Sequence, residues 1–360
     1  MEEVSTIEPI NNQFYTNAKK ALLKLKNTNL DKVRFPKLEL LIGGSEYFEK
    51  VFQSIRKAKK YIFCIAYTID QSKLANQFLN ELIQTLDRGV KVYILLDDLV
   101  STADEKLCNE FITKGGVIIN RNSIKKFWNV FDKSFFQRDH EKIIIFDNKF
   151  LLGSSNISSD YGGEKYGNNI FMDLNYYGKN CLVDEFSFFF EDMLFSMEGY
   201  YGINEYNFLK DLIHYKKHFN KNLYFKSNNI KLAYCNQPTN MQIQENILKA
   251  ISLAKKSIKI IGPYYYPMKI FDKALIAAKE RGVNIEFITA HKRDVPAYKE
   301  FTNSILFKKL LKSKINVYEY KPHFLHAKGF LFDDEYLSIG SFNTDRWSWY
   351  NNIETMIDCY

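Results

Sequence analysis

Two kinds of hydrophobic pattern alternate along the chain. In AKKYIFCIAYTID (58–70), a nearly continuous apolar run follows a basic segment, as expected of a buried strand that comes after a helix. In LDRGVKVYILLDD (86–98), a glycine ends the helical pattern and the next apolar strand begins at once. This alternation of helices and strands predicts a mixed α/β fold, with a sheet covered by helices on both faces.

The same order of elements is written a second time. AKKSIKIIGPYYYP (254–267) matches the first of these segments, and AKERGVNIEFITA (278–290) matches the second. Each copy therefore predicts a helix, a strand, a helix, a glycine turn and a strand, in that order. An internal repeat of this length indicates two similar domains, which a pseudo-two-fold axis would bring together.

Each copy ends in an apolar run that contains a histidine and a lysine two residues apart. The runs are DHEKIIIFDNKFLLGSSN (139–156) and LHAKGFLFDDEYLSIGSFN (325–343). Both follow the pattern H-x-K-x4-D and continue to a Gly-Ser-x-Asn turn. Strand side chains alternate, so the histidine and the lysine point to the same side. Packing of a buried strand does not call for two basic side chains next to each other, whereas a phosphate-binding site does. The motif residues are His140, Lys142, Asp147, His326, Lys328 and Asp333.

Composition narrows the range of partners. The 360 residues carry a net charge of +8, which favours nucleic acid, a membrane surface or phosphorylated small molecules. The five cysteines form no C-x-x-C pair and lie mostly in apolar runs, which predicts reduced thiols rather than a disulfide scaffold. The acidic start MEEVSTIEPINNQ is unlike a targeting peptide, and no apolar run reaches the roughly 18 to 20 residues that span a bilayer. Any membrane contact is therefore expected to be peripheral.

These segments together resemble the phospholipase D superfamily, and most closely the bacterial-type cardiolipin synthases. The resemblance rests on the paired H-x-K-x4-D motifs in register with flanks such as GPYYYP, RGVNIEFITAHKRD and NTDRWSWYNNIE. It implies an N-terminal extension (1–37), a first phospholipase D-like α/β/α sandwich domain (38–204), a connecting segment (205–228) and a second such domain (229–360). The second copy stops after a strand, so its last helix is expected to be missing. Glu141, Met172 and Asn175 stand where the family usually has Arg, Arg and His.

The resemblance also implies how the reaction is divided between the two motifs. One histidine attacks phosphorus and forms a phosphohistidine, while the other protonates the departing alcohol and then takes a proton from the incoming one. His140 is assigned as the nucleophile and His326 as the acid and base. Lys142 and Lys328 are expected to clamp the phosphate oxygens.

Further residues are expected to support the two motifs. No metal or cofactor is expected. The supporting candidates are the amides of Asn156 and Asn343, the hydroxyls of Ser154 and Ser341, the imidazole-orienting carboxylates of Asp173 and Glu354, and, in a supporting role within the catalytic motifs, Asp147 and Asp333.

The leading hypothesis is a peripheral-membrane phosphatidyltransferase that makes cardiolipin from phosphatidylglycerol. The expected partner is anionic phospholipid at a membrane surface, with no obligate nucleic acid, and a monomer is possible because both motifs lie in one chain. Three alternatives stay open at this point. They are a phospholipase D-type hydrolase, a nuclease of the same superfamily acting on DNA or RNA, and a lipid-binding protein without turnover.

Three other features have simpler interpretations. His214 and His218 have the i, i+4 spacing of a zinc site, but a surface helix is favoured because no Glu or Cys accompanies them. The aromatic run 263–267 could stack a nucleobase, or it is a strand-ending turn at the rim of the site. The apolar run 186–195 is predicted to be a core helix rather than a membrane-insertion face.

Overall fold

The computed structural model describes residues 5–7, 37–97, 99–121, 137–168, 171–179, 211, 229–236, 240–291 and 303–360. Several predicted features lie outside these residues. They are the apolar run 186–195, nearly all of the connecting segment 205–228 with His214 and His218, and Cys181.

The described strands and helices follow the order that the sequence pattern predicts. The strands are β1 (Ser5–Ile7), β2 (Lys37–Ile42), β3 (Tyr61–Ala66), β4 (Lys91–Asp97), β5 (Val117–Arg121), β6 (Lys142–Phe146), β7 (Lys149–Gly153), β8 (Phe171–Met172), β9 (Leu174–Lys179), β10 (Ile230–Asn236), β11 (Asn240–Met241), β12 (Ser257–Gly262), β13 (Asn284–Ala290), β14 (Asn316–Tyr320), β15 (Phe324–Leu325), β16 (Gly329–Phe332), β17 (Tyr336–Gly340) and β18 (Glu354–Cys359). The α-helices are α1 (Gly44–Lys57), α2 (Lys73–Leu86), α3 (Glu105–Thr113), α4 (Gly163–Tyr166), α5 (Gln242–Leu253), α6 (Lys269–Glu280), α7 (Asn303–Leu306), α8 (Lys308–Lys312) and α9 (Arg346–Tyr350).

The two halves build sheets of the same topology. In the first half the strands lie in the order β2-β9-β7-β6-β3-β4-β5. In the second half the equivalent order is β10-β18-β17-β16-β12-β13-β14, with β11 and β1 added at the two edges. In the first sheet the three strands β3, β4 and β5 are parallel, and in the second sheet the four strands β12, β13, β14 and β1 are parallel. The remaining pairs are antiparallel. The predicted duplication of a mixed α/β domain is therefore confirmed.

The strands alternate their side chains between two cores. In β3, Phe63 and Ile65 belong to an inner cluster, whereas Ile62 and Cys64 belong to an outer cluster together with buried residues of α1 and α2. The second sheet has an outer cluster of its own, into which α5, α6, α8 and α9 bury apolar residues. This period of two is the expected signature of strands that are buried on both faces.

The inner cluster contains residues of both sheets, so the two inner faces pack on each other. At this interface the Tyr176 hydroxyl lies 3.8 Å from the sulfur of Cys359. The sequence pattern predicts helices on both faces of each sheet. The described helices instead cover one face, because the opposite face of each sheet is apolar and buries its area against the other sheet.

The N-terminal extension contributes to the fold of the second half. Within 1–37, β1 pairs in parallel with β14 at the edge of the second sheet, with Ser5 opposite Tyr318. The strands of the first sheet fall within 37–179, and all but β1 of the second sheet fall within 230–359. The domain boundaries at 38–204, 205–228 and 229–360 remain predictions.

Candidate active site

The two histidines stand immediately before equivalent strands of the two sheets. His140 precedes β6 and His326 precedes β16, and both side chains are buried. Lys142 is the first residue of β6, and Lys328 is the last residue before β16. The sequence pattern predicts that each histidine–lysine pair lies within a strand. The structure places the pairs on the segments that lead into the strands.

Backbone hydrogen bonds tie each of these entry segments to the opposite half. The backbone N–H of His140 donates to the carbonyl of Ile353 at 3.0 Å, and the N–H of Ile353 donates to Arg138 at 2.8 Å. In the second motif β15 pairs in parallel with β8, and the N–H of His326 donates to the carbonyl of Met172 at 2.8 Å. Each histidine is therefore held by backbone contacts to the other domain.

These backbone hydrogen bonds give each histidine a carboxylate from the other half. Ile353 precedes Glu354, and Met172 precedes Asp173, so the backbone pairing brings each carboxylate to the opposite imidazole. His140 Nδ1 lies 2.9 Å from Glu354 Oε2, and His326 Nδ1 lies 3.0 Å from Asp173 Oδ2. The sequence identifies both carboxylates as imidazole-orienting candidates but does not say which histidine each one meets.

Neighbouring donors fix both carboxylates in place. Glu354 Oε1 accepts hydrogen bonds from the Ser348 hydroxyl at 2.5 Å and from the Asn352 amide at 3.2 Å. Asp173 accepts hydrogen bonds from the hydroxyls of Ser154 and Ser155. Burial alone would raise the pKa of each carboxyl, but the nearby histidine and the neighbouring motif lysine outweigh it. The pKa values of Glu354 and Asp173 therefore lie below the ordinary range, and both groups are anionic.

The imidazoles are neutral in this environment. Burial lowers the pKa of His140 to about 4, with Lys142 adding to the shift and Glu354 opposing it. Burial and the charge of Lys328 likewise lower the pKa of His326, against the attraction of Asp173. Each contact to a carboxylate is therefore a hydrogen bond from a neutral Nδ1–H. The lone pair of such an imidazole is on Nε2, which leaves that atom suited to nucleophilic or general-base chemistry.

Both lysines fold back onto their own histidine. Lys142 Nζ donates to the carbonyl of His140 at 2.6 Å and lies 4.8 Å from the centre of the Tyr67 ring. Lys328 Nζ donates to the carbonyl of His326 at 2.5 Å and lies 2.9 Å from each ring nitrogen of that residue. Burial lowers the pKa of Lys142 to about 7, and the charge of Lys328 contributes to this shift. Two buried ammonium groups in one site are an arrangement that an anionic ligand stabilises.

Aromatic rings pack against the two imidazoles in different ways. The Tyr67 ring meets His140 edge-on at a centroid distance of 4.7 Å. The Tyr161 ring meets His326 edge-on at 5.0 Å, and its hydroxyl lies 3.4 Å from His326 Nε2. Phe171 stacks on His326 at 5.8 Å. The two motifs are thus alike in sequence but different in their surroundings.

The serine hydroxyls of the two turns form hydrogen bonds to the protein backbone. Ser154 and Ser341 bond to the neighbouring strands through the carbonyls of Leu174 and Thr355. This differs from the expectation that their hydroxyls contact phosphate, because the last strand of each sheet lies within reach of the turn.

The two turn asparagines are buried, and hydrogen bonds connect them to the histidines through intervening residues. The Asn156 amide donates to the Tyr161 hydroxyl at 2.9 Å, and the backbone N–H of Asn343 donates to the Ser348 hydroxyl at 3.1 Å. Within the part of the chain that the structure describes, Asn156 Oδ1 and Asn343 Oδ1 are buried without a hydrogen-bond partner. These two residues therefore remain candidates for ligand contact.

The two aspartates of the motifs lie away from the histidines. They follow the far ends of β6 and β16. Asp147 accepts hydrogen bonds from three consecutive backbone N–H groups at 59–61, and Asp333 accepts three from 255–257. Both have positive φ angles, 51° and 53°. They fasten the turn after the motif strand to the start of the adjacent strand, which is the supporting role expected of them.

Sequence reasoning missed several residues that complete the site. Tyr67 and Tyr161 contact the imidazoles, and Ser155, Ser348 and Asn352 hold the carboxylates. Ser348 and Tyr161 each lie five residues after the asparagine of their turn, so the repeat itself contained a signal for them. The tyrosines of the aromatic run 263–267 differ in burial. The Tyr265 side chain is buried and its hydroxyl donates to Asp272 at 2.7 Å, whereas Tyr266 is exposed.

Three negative observations apply to the described ranges alone. No group of three or more His, Cys, Asp and Glu side chains is arranged there to hold a metal ion. No helix there has both the length and the apolar character needed to cross a bilayer. The thiols of Cys64, Cys108, Cys235 and Cys359 form no disulfide.

Comparison with known proteins adds three findings. The family described as "Cardiolipin synthase, PLD-like domain" matches residues 51–191 and 247–360. Cardiolipin synthase 2 of Staphylococcus epidermidis (strain ATCC 35984) is 27% identical over 321 residues, which cover 88% of this chain and 63% of the relative. Cardiolipin synthase of Clostridium perfringens (strain SM101) is 27% identical over 349 residues, which cover 94% of this chain and 70% of the relative.

A solved structure shares the fold. Phosphatidylserine synthase of Haemophilus influenzae Rd KW20 superposes with a TM-score of 0.64 at 19% identity, covering 96% of this chain and 86% of that one. At this identity the likeness concerns the fold alone. The chain spans about 63% of the length of the staphylococcal relative that it matches.

Proposed function

The chain belongs to the family of cardiolipin synthase phospholipase D-like domains, and on that premise we propose that it transfers a phosphatidyl group from one alcohol to another through a phosphohistidine. The donor is phosphatidylglycerol, the acceptor is the hydroxyl of a second phosphatidylglycerol, and the products are cardiolipin and glycerol. The relatives named cardiolipin synthase support this choice of substrate.

One observation carries the proposal. Each histidine is hydrogen-bonded to a carboxylate of the other half, so the two motifs form a single site with two oriented imidazoles. Transfer of a phosphatidyl group needs a nucleophile for phosphorus and a separate group that moves protons to and from the alcohols. The paired site supplies both, and the two lysines supply the positive charge that phosphoryl oxygens require.

In the first step His140 Nε2 attacks phosphorus. Glu354 accepts the Nδ1–H hydrogen bond and stabilises the positive charge that develops on the ring as the N–P bond forms. The bond from phosphorus to the glycerol oxygen breaks, and His326 gives its proton to that oxygen. Asp173 favours the protonated form of His326, and the bound phosphodiester, being anionic, offsets the charge of Lys328 that opposes it.

In the second step the acceptor alcohol replaces glycerol. His326, now neutral, takes the proton of the acceptor hydroxyl as its oxygen attacks phosphorus. The N–P bond breaks and His140 returns to its neutral form. Lys142 and Lys328 bind the non-bridging oxygens in both steps. Atoms and protons balance over the cycle.

We further propose that the protein works at a membrane surface as a peripheral enzyme. The net charge of +8 favours approach to anionic lipid. Both motifs lie in one chain and meet in one site, which is compatible with action as a monomer.

The test is incubation of the pure protein with phosphatidylglycerol vesicles and analysis of the lipid products by mass spectrometry. The His140→Ala and His326→Ala proteins run alongside, and circular dichroism checks that they fold. Cardiolipin formed by the wild type and lost in both variants supports the transferase.

The other products would redirect the proposal. Phosphatidic acid without cardiolipin means that water is the acceptor and the protein is a hydrolase. Histidine-dependent cleavage of single-stranded DNA without any lipid product would overturn the lipid function. An acid-labile phosphate mapped to His326 instead of His140 would reverse the two assigned roles.

A further inference from the structure

Large apolar side chains are exposed in two short stretches of the second half. Tyr266 and Ile270 lie in the first stretch, at the start of α6, with 42% and 51% of their surface exposed. Trp347 and Tyr350 lie in α9, with 48% and 47% exposed. We call these four residues the aromatic face. Exposed side chains of this size are usually scattered singly, so their concentration in two stretches of five residues indicates an interaction surface.

The two stretches are neighbours in space. The backbone N–H of Tyr266 donates to the carbonyl of Thr344 at 3.0 Å, just before α9. Beneath the surface, the ring of Phe271 in α6 lies 5.3 Å from the ring of Trp349 in α9. The exposed residues therefore flank one buried aromatic contact that joins α6 to α9.

The aromatic face lies next to the candidate active site. On its buried side, α9 presents Ser348, whose hydroxyl donates to Glu354. Glu354 in turn holds His140. A single short helix thus separates the exposed rings of Trp347 and Tyr350 from the carboxylate that orients the imidazole.

The exposed charge around the aromatic face is positive. Lys269, Lys273 and Arg346 are exposed within these two stretches or close to them in sequence. The neighbouring acidic residues Asp272 and Asp345 are buried and bonded within the protein. Exposed tryptophan and tyrosine with surrounding lysine and arginine match the interface of a bilayer, where an apolar zone lies below anionic headgroups.

We propose that the aromatic face is the surface by which this protein docks on a bilayer that contains anionic phospholipid. Ile270 and Trp347 enter the interfacial zone, while Lys269, Lys273 and Arg346 meet the headgroups. The choice of a bilayer as the partner rests on the proposed function, since the substrate is a membrane lipid. Docking by this face brings the membrane against the side of the molecule on which α9 covers Glu354.

Vesicle flotation tests the proposal without any need for turnover. The wild type is expected to float with vesicles of phosphatidylglycerol and phosphatidylcholine, and much less with phosphatidylcholine alone. The Ile270→Ser/Trp347→Ser protein is expected to partition about tenfold more weakly, because two large apolar side chains no longer enter the interface. The matched control is Ile112→Ser/Leu253→Ser, which removes two exposed apolar side chains elsewhere and should float like the wild type.

Two results would overturn the docking surface. One is equal flotation of the aromatic-face variant and the wild type. The other is an absence of flotation by the wild type together with binding of single-stranded DNA that the aromatic-face substitutions remove, which would make nucleic acid the partner.

The docking result is separable from the proposed reaction. The His140→Ala protein is expected to float like the wild type, although its turnover is lost. Cardiolipin made from detergent-dispersed lipid by a wild type that does not float would refute the docking surface and leave the reaction standing.

Discussion

At the scale of single residues, the two histidines are made unequal by the tyrosines beside them. Tyr67 offers His140 only the edge of a ring, and Tyr161 offers His326 both a ring and a hydroxyl near Nε2. That hydroxyl also accepts the hydrogen bond of the buried Asn156 amide. The proton-transferring histidine of the proposed reaction is therefore the one whose Nε2 has a neighbouring hydroxyl.

This difference predicts unequal effects of two matching substitutions. Tyr161→Phe removes a hydroxyl that positions His326 and Asn156, and we expect kcat/KM to fall about three- to tenfold, the usual effect of one lost neutral hydrogen bond. Tyr67→Phe keeps the ring against His140 and should change kcat/KM by less than about twofold. The measurement is kcat/KM of both variants with phosphatidylglycerol as the substrate. Equal effects of the two substitutions would contradict a specific role for the Tyr161 hydroxyl.

The pKa shifts in the site predict the pH dependence of the reaction. The proposed mechanism needs His140 neutral and both His326 and Lys142 protonated. Since the pKa of His140 is lowered to about 4, the acid limb of kcat/KM should lie near pH 4. On the alkaline side, the pKa of His326 is lowered and that of Lys142 is about 7. The logarithm of kcat/KM should therefore fall with a slope of about −1 at first and about −2 above pH 7, where both groups lose protons.

Lys142→Arg separates these two ionisations. A guanidinium stays protonated throughout this range, so the slope above pH 7 should return to about −1 even if the rate itself is lower. The measurement is kcat/KM against pH for both proteins. An unchanged steep limb in the variant would assign the second ionisation to a group other than Lys142.

At the scale of elements, the motif aspartates belong to the sheet rather than to the chemistry. Asp147 joins the turn after β6 to the first residues of β3, and Asp333 does the same for β16 and β12. Burial would raise the pKa of Asp333, but hydrogen bonds from three backbone N–H groups outweigh it and hold the pKa below its ordinary value. Its stabilising contribution is therefore complete above the ordinary carboxyl pKa of about 4 and is lost as pH falls through the lowered value.

Substitution of Asp147 should therefore reduce stability without removing catalysis. Asp147→Ala loses three charge-assisted hydrogen bonds and places alanine at a φ of 51°, and we expect the free energy of unfolding to fall by about 2–4 kcal/mol. Asp147→Asn keeps one acceptor oxygen and tolerates this backbone, so its loss should be about half as large. Denaturant titration gives the stability, and kcat below the unfolding range gives the activity. A large fall in kcat in a folded Asp147→Asn protein would restore a catalytic role.

At the scale of the whole molecule, the site exists because two sheets share one core. The inner faces pack on each other, and the segments that lead into the motif strands form backbone hydrogen bonds with the opposite half. The two halves are therefore expected to unfold together, in contrast to tandem domains joined by a linker alone.

Tyr176 provides the test of this joint unfolding. It is fully buried in the shared core, and Tyr176→Ala is expected to cost about 3–5 kcal/mol by leaving a cavity between the sheets. Hydrogen exchange measured by mass spectrometry should show equal loss of protection in β7 and β17, which belong to different halves. The exposed Ile112→Ala substitution serves as the control and should change neither. Loss of protection in β7 alone would mean that the halves unfold independently.

The sequence by itself determined the duplicated α/β pattern, the paired motifs and most of the residues of the site. These features are local and periodic, since a strand shows its apolar run, a helix its glycine stop, and a repeat its spacing. The resemblance carried by the motifs also pointed to the phosphodiester chemistry that the proposed function adopts. Asp173 and Glu354 could be chosen because a carboxylate that orients an imidazole is a recurring need and both follow the motifs closely.

Only the tertiary structure decided which groups meet. His140 and Glu354 are 214 residues apart, and His326 and Asp173 are 153 apart, so no local pattern could pair them. The pairing follows from strand-like contacts between the halves. The same contacts turned the inner sheet faces toward each other, directed Ser154 and Ser341 to backbone carbonyls, and left Asp147 and Asp333 at the far ends of their strands. Long-range packing fixes such positions, because each depends on where a second, distant segment of the chain lies.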